Sequence, residues 1–146
     1  MKIIMVCLVG VYLIVMSVLD FWKRQIPVLP GVVCIGVVSV CQFFLGTSWK
    51  NWVPGAVLGA LLFLICKLSR ESIGSGDALV YVVTGVCLGF MKNLDVLALS
   101  LFMAAVIGGA LLLFGRVGKK YTMPFVPFTA VSYGVITICE MGGVWL

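Results

Sequence analysis

No histidine occurs anywhere in the 146 residues, and acidic side chains number only five. The first absence removes the general base of a Ser-His-Asp or Cys-His nucleophilic site, together with the usual nitrogen ligand of zinc and haem centres. Six cysteines, at 7, 34, 41, 66, 87 and 139, include no C-x-x-C pair. They offer no metal-ligand spacing and read as small apolar packing residues, so no metal and no cofactor is expected. Charged residues make up only 10% of the chain, against a hydrophobic fraction of 63% and a mean hydropathy of +1.26. Soluble domains carry about 25% charged residues, so no separate soluble domain is expected, and the chemistry falls to membrane helices and the short loops between them. There is no repeat, no low-complexity segment and no sign of a nucleic-acid partner.

What the chain has in abundance is long apolar runs, at 3–19, 31–47, 53–68, 78–91, 94–115 and 123–146. A spanning helix takes about 20 residues, with a range of about 17 to 25, so the shorter runs need their flanks to cross. The runs are too continuous for the roughly 10-residue alternation of an outer-membrane barrel. The expected fold is therefore all-α, a polytopic membrane bundle of about six transmembrane helices, forming one membrane-embedded domain over residues 1–146. The first run has a lone Lys2 before it and no small-x-small site ahead of Asp20, and it is read as a helix rather than a cleaved signal.

Basic residues in short loops stay preferentially in the cytoplasm. Lys23, Arg24, Lys67, Arg70, Arg116, Lys119 and Lys120 fall on one side of the predicted bundle, and Lys2, Lys50 and Lys92 on the other. That asymmetry predicts both termini outside, with a basic cytoplasmic rim that also suits anionic membrane lipid.

The acidic residues are Asp20, Glu71, Asp77, Asp95 and Glu140. Asp20 closes the first run and Asp77 opens the fourth on the same predicted cytoplasmic side, so a bundle brings two carboxylates to one depth. Asp95 and Glu140 fall toward the opposite face. Asp77 before an apolar helix is also what an N-cap looks like. Asp20 at a helix C-terminus meets the unfavourable end of the macrodipole, and its bland reading is pairing with Lys23 or Arg24. Glu71 has Arg70 or Lys67 for an ordinary partner.

Asp77 ends the stretch GSGD, residues 74–77. Gly74 and Gly76 give the backbone freedom and admit another chain closely, which suits a substrate peptide lying extended beside Asp77. Two carboxylates with no metal, no histidine and no nucleophile activate water. One, ionised, takes a proton from water while the other, protonated, donates to the scissile carbonyl, and the two titrate as a coupled pair. On the helix-terminus argument alone Asp77 is the ionised member and Asp20 the proton carrier.

Three segments carry a resemblance. DFWKRQIPVLP (20–30), GSGD (74–77) and MPFVPFTAVSYG (123–134) resemble the first aspartate segment, the G-x-G-D motif and the final proline-aromatic helix start of the type IV prepilin peptidases. These are membrane aspartic proteases of bacteria and archaea. The resemblance implies a cytoplasmic-membrane endopeptidase that cleaves the basic leader from prepilin-like precursors at the cytoplasmic face. Asp20 and Asp77 would be its catalytic pair, and Gly74, Gly76, Ile26, Pro27, Pro124, Phe125 and Pro127 would line the substrate. Val28 stands where the family usually has Asn, and Leu79 where it usually has Lys. The N-terminal cysteine-bearing domain and N-methylating activity of longer members have no counterpart here, so peptidase activity alone is expected.

Pro124 and Pro127 also fit a helix first turn, and Phe125 and Phe128 fit interface anchors. A second class of function is a non-catalytic scaffold or a small ion- or proton-coupled transporter using the two aspartates. It calls for polar groups near the midplane, where the runs offer little beyond Ser, Thr and Gln42. A presenilin-like protease ranks third, because Leu19 rather than Tyr precedes Asp20.

Overall fold

The computed structural model describes residues 2–23, 27–68, 75–114 and 124–143. Six helices follow in order: α1 (Lys2–Lys23), α2 (Val28–Phe44), α3 (Trp49–Leu68), α4 (Ser75–Leu88), α5 (Phe90–Leu113) and α6 (Val126–Met141). No strand occurs among the described residues. The architecture is the helical membrane bundle expected from the apolar runs. Outer faces such as Ile3, Val11 and Ile14 of α1 and Leu101, Phe102 and Val106 of α5 are exposed, as lipid-facing surfaces are.

Among the boundaries that differ from the sequence reading, three have a clear local reason. Pro27 is extended (φ −65°, ψ 130°) and α2 starts directly after it, with Pro30 in the first turn, where a missing N–H is of little consequence. Helix α4 starts at Ser75, so Asp77 lies inside its first turn rather than in front of it. Helix α6 is shorter than its apolar run and carries Pro127 in its first turn, as the proline spacing suggested. Between α4 and α5 the chain turns on Gly89 alone, whose φ of 82° favours glycine.

Helix α4 is the hub. Val80, Tyr81, Val83, Thr84 and Val86 are buried, and the helix meets every other helix of the bundle. Against α3 the approach is backbone to backbone. A Cβ on Gly55 would collide with the Gly85 carbonyl, and one on Gly85 with the Gly55 carbonyl. This is how small residues admit close helix packing in lipid, where no hydrophobic effect separates helix from solvent.

Polar side chains then pin the packed helices. Asn93 of α5 donates from Nδ2 to Tyr81 O (3.0 Å) and Gly55 O (3.4 Å), and accepts from Thr84 Oγ1 at 2.7 Å. Gln42 near the end of α2 donates to Val86 O (3.0 Å) and Cys87 O (3.3 Å). These carbonyls lie in the last turn of α4, which has no intrahelical donor to offer them. The few polar groups of the apolar runs are thus spent on holding helices together. The Gln42 bonds set α2 and α4 parallel, while the Gly55–Gly85 approach belongs to antiparallel α3 and α4. One end of the bundle accordingly gathers the C-termini of α1, α3 and α5 and the N-termini of α2, α4 and α6.

Candidate active site

Asp20 lies in the last turn of α1, as its place at the end of an apolar run predicted, and is buried (8% exposed). Its Oδ2 accepts the backbone N–H of Val126 at 3.3 Å, and the Phe125 amide is also directed at it. Val126 is the first residue of α6, where backbone N–H groups lack intrahelical acceptors and the helix dipole is positive. Asp20 therefore sits at the disfavoured end of its own helix and at the favoured end of another, and caps α6 from a distance.

Asp77 is the third residue of α4 and half-buried at the same end of the bundle. Helices α1 and α4 pack against each other, which places the Asp20 and Asp77 carboxylates at the same end of the bundle. Gly76, immediately before Asp77, is buried and helical. The freedom expected of it in an extended loop is therefore not called on, since its backbone is helical.

The remaining sequence-derived positions divide. Phe125 packs its ring beside Tyr81, with centroids 6.3 Å apart, so it is a core contact rather than an interface anchor. Pro124 and Pro127 flank Phe125 and Val126 at the start of α6 and are half-buried. Pro27 is exposed at the head of α2, at the same end as the aspartates. Gly74 and Ile26 lie outside the described residues, as do Arg24, Arg70 and Glu71. Leu79, in the position where the resemblance leads one to expect Lys, fills the space beside Gly31, where a Cβ would collide with it. There it seals α4 against α2.

Sequence reasoning missed three polar residues at this end. Tyr81, Ser100 and Thr129 are all buried, and the Tyr81 hydroxyl lies 2.5 Å from Ser100 Oγ and 3.1 Å from Thr129 Oγ1. The available signal was the spacing of Asp77 and Tyr81, one turn apart on a single helix face. Beyond Ser100, α5 continues to Leu113, about 20 Å at 1.5 Å per residue, as an apolar helical arm.

A cavity of about 480 Å³ opens at the other end of the bundle, lined by Gln42, Asn51, Trp52, Lys92 and Glu140 among others. Lys92 and Glu140 form an ion pair there. Each neutralises the other, and neither is near the aspartates, so the cavity is not the place where water activation is to be sought. Glu140 thus falls at the opposite end, as its position in the chain implied.

Comparison with known proteins gives the family. The model of the type IV leader peptidase family matches residues 7–113, a stretch that includes both aspartates. The prepilin leader peptidase/N-methyltransferase of Bacillus subtilis (strain 168) is 31% identical over 86 residues, which is 58% of this chain and 35% of that protein. The chain thus spans about a third of the length of this curated relative. No solved structure matches.

Proposed function

Because the chain belongs to the type IV leader peptidase family, we propose that it is a membrane aspartic endopeptidase. It cleaves the basic leader from prepilin-like precursors, with Asp20 and Asp77 as the catalytic pair. The observation that carries this reading is the placement of two carboxylates, one at the end of α1 and one at the start of α4, at one end of a bundle whose chain holds only five acidic residues. The positive-inside asymmetry assigns that end to the cytoplasm and both termini to the outside, in a bacterial or archaeal cytoplasmic membrane.

The division of labour follows from the donors. The Val126 amide and the N-terminus of α6 favour the ionised form of Asp20, a contribution that the position of Asp20 on its own helix does not reveal. Asp20 is then the base and Asp77 the acid, the reverse of the assignment from helix ends alone. The Asp20 carboxylate takes a proton from water as the water oxygen attacks the scissile carbonyl carbon. Asp77 gives its proton to the carbonyl oxygen, producing a neutral gem-diol. Collapse of the gem-diol breaks the C–N bond. The amine leaves with the proton held by Asp20, and a hydroxyl proton returns to Asp77.

Both the basic leader and the basic rim are attracted to anionic lipid, which concentrates substrate and peptidase at the same surface. Gly74, Gly76, Ile26, Pro27, Pro124, Phe125 and Pro127 remain the proposed walls of the peptide site. The test is co-expression of the full chain with a prepilin, comparing wild type with Asp20→Asn and Asp77→Asn. Processing by wild type and by neither variant is expected. Processing by both variants overturns the reading.

A further inference from the structure

The two aspartates come from helices that are themselves held by a third, and the hydroxyl of Tyr81 is where that holding converges. Tyr81 stands one turn after Asp77 on the same face of α4 and is 1% exposed. Ser100 Oγ donates to Leu97 O at 2.9 Å, which leaves it as the acceptor for the Tyr81 hydroxyl at 2.5 Å. The Tyr81 oxygen also lies 3.1 Å from Thr129 Oγ1, a second hydroxyl partner on α6. One phenol oxygen thus joins α4, α5 and α6.

Thr129 lies one turn from Phe125 and within reach of its carbonyl (3.5 Å). Phe125 itself packs its ring 6.3 Å from that of Tyr81. The next residue, Val126, is the one whose amide holds Asp20. A continuous path therefore runs from Asp77 through Tyr81 and Thr129 to the first turn of α6 and on to Asp20.

We propose that Tyr81 is a positioning residue for the aspartate pair: its hydroxyl fixes the first turn of α6 against α4 and so sets where the Val126 amide holds Asp20 relative to Asp77. This rests on the peptidase reading above. It predicts an effect mainly on kcat, because Tyr81 is sealed from the surface and the Val126 amide it places holds a reacting group. A smaller effect on KM comes through Phe125 and Pro127 on the same turn of α6. A buried hydroxyl used only for stability would leave the geometry of the pair unchanged.

The test uses the full chain, purified in detergent or nanodiscs and assayed on a prepilin leader substrate, with kcat and KM measured separately. Tyr81→Phe keeps the ring against Phe125 and deletes only the oxygen. A fall in kcat of about 10- to 100-fold is expected, the range that small misplacements of reacting groups produce, with a much smaller change in KM. Hydrogen–deuterium exchange at the first turn of α6 should quicken.

Thr129→Val should reproduce both changes and Thr129→Ser should rescue them, which guards against a Tyr81 variant that simply fails to fold. Wild-type kcat in Tyr81→Phe and Thr129→Val overturns the proposal. So does a loss of activity matched by the loss of folded protein with no change in kcat per folded molecule. Asp20→Asn and Asp77→Asn run alongside separate the two ideas. If these are inactive while Tyr81→Phe is normal, only the positioning role fails; if they cleave, the catalytic assignment fails.

Discussion

The Val126 amide donates to Asp20 Oδ2 across 106 positions of sequence, joining the end of α1 to the start of α6. That bond gives Asp20 two separable jobs, capping α6 and presenting a carboxylate.

The two jobs respond differently to substitution. In Asp20→Asn the side-chain oxygen still accepts from Val126, whereas Asp20→Ala leaves the first turn of α6 without its acceptor. Loss of a cap costs about 0.5–2 kcal/mol. Thermal unfolding in detergent should therefore rank wild type and Asp20→Asn together, with Asp20→Ala lower, while both variants lose peptidase activity. Equal melting of the two variants would refute the capping role.

A pair that shares one proton has a pH dependence set by both members. With Asp20 ionised and Asp77 protonated in the working state, protonation of the pair at low pH removes the base and deprotonation at high pH removes the acid. The profile of kcat against pH should be bell-shaped, its two limbs belonging to the pair rather than to either residue. A single-limbed profile over the range in which the protein stays folded would contradict acid–base sharing.

The backbone approach of α3 to α4 leaves no room for a methyl group at Gly55 or Gly85, each of which faces the other's carbonyl. Gly55→Ala and Gly85→Ala should destabilise the bundle by about 1–3 kcal/mol, as overpacking does. Gly36→Ala and Gly108→Ala, whose Cβ positions meet nothing within 4 Å, should be neutral or slightly stabilising. Denaturation in mixed detergent micelles distinguishes the two sets.

Among the described residues, the Tyr12 hydroxyl is a buried side-chain oxygen with no hydrogen-bond partner. It faces the apolar seam in which Leu79 lies beside Gly31. Burying such a group without a partner costs about 1–3 kcal/mol. Tyr12→Phe should therefore leave stability unchanged or raise it, with prepilin processing intact. A marked drop in melting temperature or in processing would mean that the hydroxyl has a partner in the working enzyme.

Much of the fold was legible because lipid leaves a chain few choices. Apolar runs of this length, with no water to satisfy backbone groups, must close their hydrogen bonds within each segment, so six runs become six helices. Helix ends were less legible. The start of α4 at Ser75 places Asp77 inside the first turn, and hydropathy does not see a boundary drawn through Ser and Gly. The two aspartates could be singled out because acid is rare in such a sequence and the G-x-G-D spacing is specific.

The sequence by itself determined the class of structure and singled out the two acid groups proposed for the site, since both follow from composition and local spacing. The tertiary structure alone decided what each aspartate faces. The amide partner of Asp20 comes from a helix begun more than a hundred residues later, and the Tyr81–Ser100–Thr129 junction draws one hydroxyl from each of three helices. Such bonds depend on the rotation and depth at which helices pack. Close contacts between side chains and backbones fix those quantities, and no periodicity along a single segment encodes them.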